Sequence, residues 1–289
     1  MANVRAIRTH IKSVESTRKI TTSMKMVAAA KLKRTQQSMN ALRPYAAAAK
    51  RLLARLGADA AARENAFLRP REIRRVCYVL FVGNRGLCGV YNTALLKFLE
   101  SRLEQERRDS FLLVVGRWGR DLLAASRIPV AETIDELPDA PSEEDARRLC
   151  EKICSLYLSG EADEIVLVYE QYLSALRQEP TAQKLLPLDA PADAEGQRLI
   201  LEPDARAVTD RLVELYLEST VQAVLLEAKT GEHTARMTAM TAASDNTEQL
   251  LEKLNLELNH ARQSAITTEI SEIVGGANAL NMKEEGKRG

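Results

Sequence analysis

The residues able to do chemistry gather at one glycine-rich turn. Gly83-Asn-Arg-Gly-Leu-Cys-Gly89 follows an apolar run and precedes a helical pattern, the position where backbone amides can cradle a phosphate. Its spacing fits neither nucleotide fingerprint, since the Lys-Ser/Thr of a P-loop and the G-x-G-x-x-G of a dinucleotide fold are both missing. It therefore reads as a tight connection. Cys88 has the helix-start position that activates a thiol, but no nearby His stands ready as its base. His10, His233 and His260 are scattered, without metal-ligand spacing. Cys150 and Cys154 lie four apart on a helical pattern and read as small buried residues; with Cys77 and Cys88 they form no C-x-x-C pair, which fits a reducing compartment. Acidic residues fall at surface spacing on helix faces, so no general acid and base pair emerges. The expectation is a chain with no catalytic residue, no metal and no cofactor.

The elements that position this turn are mostly helical. Of 289 residues 45 % are hydrophobic but only 4 % aromatic, and abundant Ala, Leu, Arg and Glu favour long helices. The first fifty-odd residues lack Gly and carry one proline, Pro44, which permits an uninterrupted helix to about Arg43. Val4, Ile7, Ile11 and Val14 alternate steps of three and four, a coiled-coil seam, and Ile20, Met24 and Val27 resume it one residue out of register. From about 206 to 280 the pattern repeats, with Leu251, Leu254, Leu258, Ala261 and Ala265 on one stripe and Ile266, Ile270 and Ile273 continuing it. At 1.5 Å per residue these helices would be roughly 60 to 80 Å and roughly 110 Å long. Gly231 either sits inside the second helix at about 1 kcal/mol relative to Ala or breaks it.

Charge separates the two ends. Residues 1–55 hold thirteen Lys and Arg against Glu15 alone, whereas the chain from Glu202 onward holds fifteen acids and nine bases. Opposite charge and matching seams imply that the terminal helices pack antiparallel on each other. The basic charges surround their helix and no aromatics interleave, so nucleic acid is not the expected partner; an acidic protein surface is. No apolar stretch is long enough to span a membrane.

Between the helices the texture changes. The runs 76–82, 111–115 and 165–169 are short, apolar and β-branched, and helical patterns at about 91–108, 117–126 and 143–158 separate them. This alternation predicts a small parallel, Rossmann-like α/β domain. The proline-rich stretch Glu179–Pro203 reads as loop, with Gln183–Leu188 as a candidate edge strand. The expected fold is α/β with dominant helix: a long antiparallel coiled coil of segments 1–60 and 204–282, plus a globular α/β domain over 72–200.

Three ordered motifs resemble the gamma subunit of F-type ATP synthases, bacterial type. They are Thr17-Arg-Lys-Ile-Thr-x-x-Met-x-Met-Val-Ala-Ala-x-Lys31, then Arg85-Gly-Leu-Cys-Gly-x-Tyr-Asn92. The third is Ala235-Arg-Met-x-Ala-Met-x-x-Ala-x-Asp-Asn246, continuing through Asn259-x-Ala-Arg-Gln to Val274. The resemblance implies a central-stalk rotor of a proton-transporting rotary ATP synthase, without an active site of its own. It would turn inside a ring of three alpha and three beta subunits, with its α/β foot beside the epsilon subunit on the c-ring. It implies that Arg262 and Gln263 contact a beta subunit, and that Met24, Lys25, Arg236, Thr267, Glu269 and Glu272 tune rotational coupling. It implies too that the turn of Arg85, Gly86, Leu87, Cys88 and Gly89 lies on the epsilon and c-ring side of the foot. The expected location is peripheral, on the cytoplasmic face of a bacterial inner membrane, since the inserted dithiol segment of chloroplast subunits is missing and the Met1 start leaves no room for a transit peptide. Departures from the family pattern are Thr22, Ser23 and Lys25 where Lys, Ala and Glu are usual, Gly83 and Asn84 in place of Ser or Thr and Asp, and Val90 in place of Gly. Rival readings are a coiled-coil tether and a nucleotide-binding α/β protein.

Overall fold

Freedom from glycine lets the first helix, α1, run over Ala2–Leu56, straight through Pro44 instead of stopping near Arg43. Proline removes one helical hydrogen bond, and the turns beyond it recover that loss by burying Ala49, Leu53 and Leu56. The computed structural model describes residues 2–56, 64–119, 128–135, 137–175, 177–189 and 201–285. After α1 follow β1 (Arg75–Phe81), α2 (Tyr91–Glu106), β2 (Asp109–Val115), β3 (Val130–Ile134) and α3 (Glu143–Leu158). β4 (Glu164–Tyr172), β5 (Gln178–Leu186) and α4 (Ala205–Glu285) complete the chain. Most of the helix expected over 117–126 lies outside the described residues. The chain divides into two units, Met1–Lys25 with Met240–Gly289, and Met26–Ala239.

The unit Met26–Ala239 is built on a five-stranded sheet in the order β3-β2-β1-β4-β5. β1 pairs in parallel with β2 and β4, and β2 with β3, as expected of a Rossmann-like domain. β5 departs from the all-parallel expectation: it runs antiparallel to β4 at the sheet's edge, the place where Pro180 can be tolerated. Alternation along the strands divides two cores. Cys77, Val79 and Phe81 face α3, the end of α1 and Leu212–Ala228 of α4. Val76, Tyr78 and Leu80 face Tyr91, Leu95 and Leu99 of α2. α3 starts with a reciprocal cap, Ser142 Oγ accepting from the Asp145 amide while the Asp145 carboxylate accepts from the Ser142 amide.

α4 passes Gly231 without a break. There the helix comes close to β4 and β5: a Cβ on Gly231 would stand 3.4 Å from the Tyr91 ring, 3.6 Å from the Glu170 carbonyl and 3.7 Å from Gln178. These are ordinary van der Waals distances, so the glycine does not interrupt the helix and the packing leaves room for a Cβ.

In the other unit the two termini pair antiparallel. Thr22 Oγ1 and Ser244 Oγ are 3.2 Å apart, Arg18 and Glu248 3.8 Å, and Val14 packs with Leu251 and Leu254. The Arg18–Glu248 pair is solvent-exposed, so it orients more than it stabilises. This register uses up α1 before α4 reaches Ile266. Ile266, Ile270 and Ile273, which continue the seam in sequence, are exposed here instead of sharing it.

Candidate functional site

The Gly83–Gly89 turn leaves β1 where the strand order reverses direction, between β1 and β4, which in open α/β sheets is the usual place for a site. α4 fills that place. Between Lys229 and Arg236 the helix is buried on nearly every side, and a helix in such surroundings must pair any charge it carries. Glu232 does so twice, accepting from Lys229 Nζ at 2.9 Å and from Arg236 Nη2 at 2.7 Å. Burial opposes the charge on Glu232, but the two cations and their hydrogen bonds outweigh it and hold the carboxyl below its usual range.

Arg236 joins this cluster to the turn. Its Nη2 also donates to the carbonyl oxygens of Arg85 at 3.1 Å and Gly86 at 3.4 Å. Gly83 lies against the same carboxylate, where a Cβ would stand 3.1 Å from Glu232 Cδ. Its amide donates to Asn92 Oδ1 at 2.9 Å, and Asn92 Nδ2 donates in turn to Cys88 Sγ at 3.4 Å. The turn thus offers α4 carbonyl oxygens, the polarity that holds a cation and not a phosphate. Leu87 and Gly89 bend it through left-handed conformations at φ 61 and 59. Burial pushes the Cys88 thiol up despite Arg236, which keeps it protonated and a poor nucleophile.

A second arm reaches α1. Burial lowers the His233 pKa and favours the neutral ring, so Nε2–H donates to the Asp139 carbonyl at 3.0 Å and Nδ1 is left for Arg236 Nη1 at 3.5 Å. The Asp139 carboxylate accepts from Lys31 Nζ at 2.5 Å. Burial works against that carboxylate, yet Lys31, Lys229 and His233 together hold it below its usual range. Loop, α1 and α4 are therefore tied by one ionic network: Lys31, Asp139, His233, Arg236, Glu232 and Lys229.

A family profile described as ATP synthase matches residues 3–280. The ATP synthase gamma chain of Desulfitobacterium hafniense is 44 % identical over 280 residues, covering 97 % of this chain and 100 % of that one. The chain belongs to the ATP synthase gamma chain family. The gamma chain of Symbiobacterium thermophilum is 42 % identical, over 96 % of this chain and 98 % of its own. Among solved structures, a chain of the Euglena gracilis mitochondrial ATP synthase OSCP/F1/c-ring assembly is similar with a TM-score of 0.71 at 19 % identity, covering 98 % of this chain and 96 % of that one. A chain of the Tetrahymena thermophila central stalk and c-ring gives 0.61 at 23 %, covering 78 % and 99 %. At such identities the structural likeness speaks for the fold.

In this gamma-family chain the residues singled out by motif fall in three places. Met24 and Lys25 are half-buried on α1. Arg236 is buried in the ionic network and directly fixes Arg85 and Gly86. Arg262, Gln263, Thr267, Glu269 and Glu272 share one exposed stretch of α4, where Thr267 Oγ1 donates to the Gln263 carbonyl at 2.9 Å. Leu87 is exposed on the turn while Cys88 is buried. Lys31 closes the first motif without a role being read from it, and Asp139, Lys229, Glu232 and His233 lie outside the three motifs. Their signal is the Lys-x-x-Glu-x-x-x-Arg spacing from 229 to 236, set among Ala, Thr and Gly, small residues that let neighbours close over a helix on all sides.

Proposed function

We propose that this chain is the central-stalk rotor of an F-type ATP synthase, turning inside a ring of three alpha and three beta subunits to couple ion flow to ATP synthesis or hydrolysis. The observation that carries the reading is the unpaired end of α4. Ile266, Ile270, Ile273 and Val274 are 49 %, 56 %, 66 % and 53 % exposed, an aliphatic surface that calls for cover by a partner. Beta-subunit loops are the proposed cover, with Arg262 and Gln263 as their polar contacts and Met24, Lys25, Arg236, Thr267, Glu269 and Glu272 tuning how rotation couples to catalysis. An asymmetric rod touches each catalytic subunit differently and so biases its open or closed state.

Segments 1–60 and 204–282 form the shaft in this reading, and 72–200 the foot. The foot seats with the epsilon subunit on the c-ring, and the turn Arg85–Gly89 belongs to its contact surface on that side. The assembly lies peripherally on the cytoplasmic face of a bacterial inner membrane. Catalysis belongs to partners, a reading supported by the protonated thiol of Cys88 and the engaged side chains of Glu232 and His233. Among the described residues no helix is long and apolar enough to cross a membrane, so attachment runs through the complex.

Mixing the chain with purified alpha and beta subunits tests this. One complex holding a single copy, with sustained ATP turnover that the chain alone lacks, supports the rotor. A chain that stays apart, or that binds and hydrolyses ATP unaided, contradicts it.

A further inference from the structure

α3 carries two thiols on one face. Cys150 and Cys154 hold their Sγ atoms 3.9 Å apart. Cys150 is buried and Cys154 half-buried, so the pair opens outward through Cys154. Three carboxylates lie around it, Glu151 on α3 and Glu214 and Glu218 on α4. Glu218 also lines a cavity of about 540 Å³ between α1, α3 and α4, together with Ser38, Arg147 and Gln222.

Oxidation to a disulfide does not suit this geometry. A disulfide needs Cβ atoms about 3.8 Å apart, whereas residues four apart on a helix hold theirs at about 5–6 Å. A bridging atom does suit it. Two metal–sulfur bonds of about 2.3 Å that span the 3.9 Å gap enclose an angle of about 115°, between the trigonal and tetrahedral values. The carboxylates resist a bare dithiolate but favour the same dithiolate once a cation sits on it. The other two cysteines offer nothing comparable: Cys77 is sealed inside the sheet with its thiol pushed up to about 12 by burial, and Cys88 is tied to Asn92.

We propose that Cys150 and Cys154 form a dithiolate site for a thiophilic divalent cation of the zinc or cadmium class. Both thiols release their protons to solvent as two sulfur–metal bonds form, with no change of oxidation state. No group of three or more His, Cys, Asp and Glu is set to hold a metal among the described residues. Water therefore completes the coordination, and the carboxylates act from outside it. The site is open and its ion exchangeable.

The test is a titration of the reduced, metal-free full-length chain with cadmium, read by sulfur-to-cadmium charge-transfer absorption. One ion per chain is expected. Cys150→Ser and Cys154→Ser should each weaken binding at least about tenfold, Cys88→Ala should leave it intact, and zinc should displace the band. Cadmium NMR of the unmodified chain, reporting two bound sulfurs, covers the case of a serine variant that misfolds. Absence of the band, or its survival in the double serine variant, overturns the site.

Discussion

Arg236 on α4 donates from Nη2 to the carbonyl oxygen of Arg85 at 3.1 Å while the same nitrogen holds Glu232 at 2.7 Å. The long helix α4 is thereby fastened to a turn of the α/β domain through a buried charge. Burying such charges stabilises little compared with an apolar core, but stranding one is costly.

Arg236→Ala should therefore destabilise the chain by about 3–5 kcal/mol, because Glu232 keeps only Lys229 and two carbonyls lose their donor. Urea unfolding measures the loss. Arg236→Ala combined with Glu232→Gln should lose more still, since the buried Lys229 ammonium is then left without its carboxylate; recovery of stability in the double variant would argue against the network.

Two glycines should respond oppositely. A Cβ at Gly83 meets the Glu232 carboxyl at 3.1 and 3.2 Å and Asn92 Oδ1 at 3.3 Å, so Gly83→Ala should cost about 1–3 kcal/mol. At Gly231 the nearest contacts are of ordinary van der Waals length, and Gly231→Ala should gain up to about 1 kcal/mol from helix propensity. Thermal unfolding of the two variants checks both signs.

Glu170 supplies a pH dependence. Burial pushes its carboxyl up to about 7, and its Oε2 has no hydrogen-bond partner among the described residues. The folded chain then binds a proton more tightly than the unfolded one, so stability falls as pH rises from the ordinary carboxylate value through about 7 and is level above it. Glu170→Gln should flatten this slope, matching the parent at pH near 5 and exceeding it by roughly 1–2 kcal/mol near pH 8. Denaturant midpoints across that range decide; an unchanged slope would show that Glu170 does not set it.

Val90, 76 % exposed beside the turn, reports what the turn touches. A photo-crosslinker on Val90→Cys in the assembled complex should capture the epsilon subunit or a c subunit. Capture of a beta subunit would move the turn to the ring side of the foot.

Much of this architecture is legible in residue pattern because its signals are local. Continuous apolar runs mark β1, β2 and β4, which are buried on both faces, and α3 covers 143–158 as its spacing predicts. β3 escapes because Val130–Ile134 is a half-exposed edge without an apolar run. Pro180 hides only the start of β5, whose second half overlaps the candidate edge strand Gln183–Leu188 and whose antiparallel edge tolerates what a central strand would not. The ionic network escapes for a different reason. Lys229, Glu232 and Arg236 have the spacing of surface pairs, and only their tertiary surroundings turn them into buried ones. The seam running on to Ile273 shows the converse: periodicity predicts an apolar face, not who covers it.

The most direct measurement is ATP-driven rotation. With the alpha and beta ring fixed to a surface and a bead attached through Glu104→Cys on the exposed side of α2, the account predicts steady rotation in one direction that stops when ATP is removed. A bead that stays still while the same complexes hydrolyse ATP would contradict the rotor.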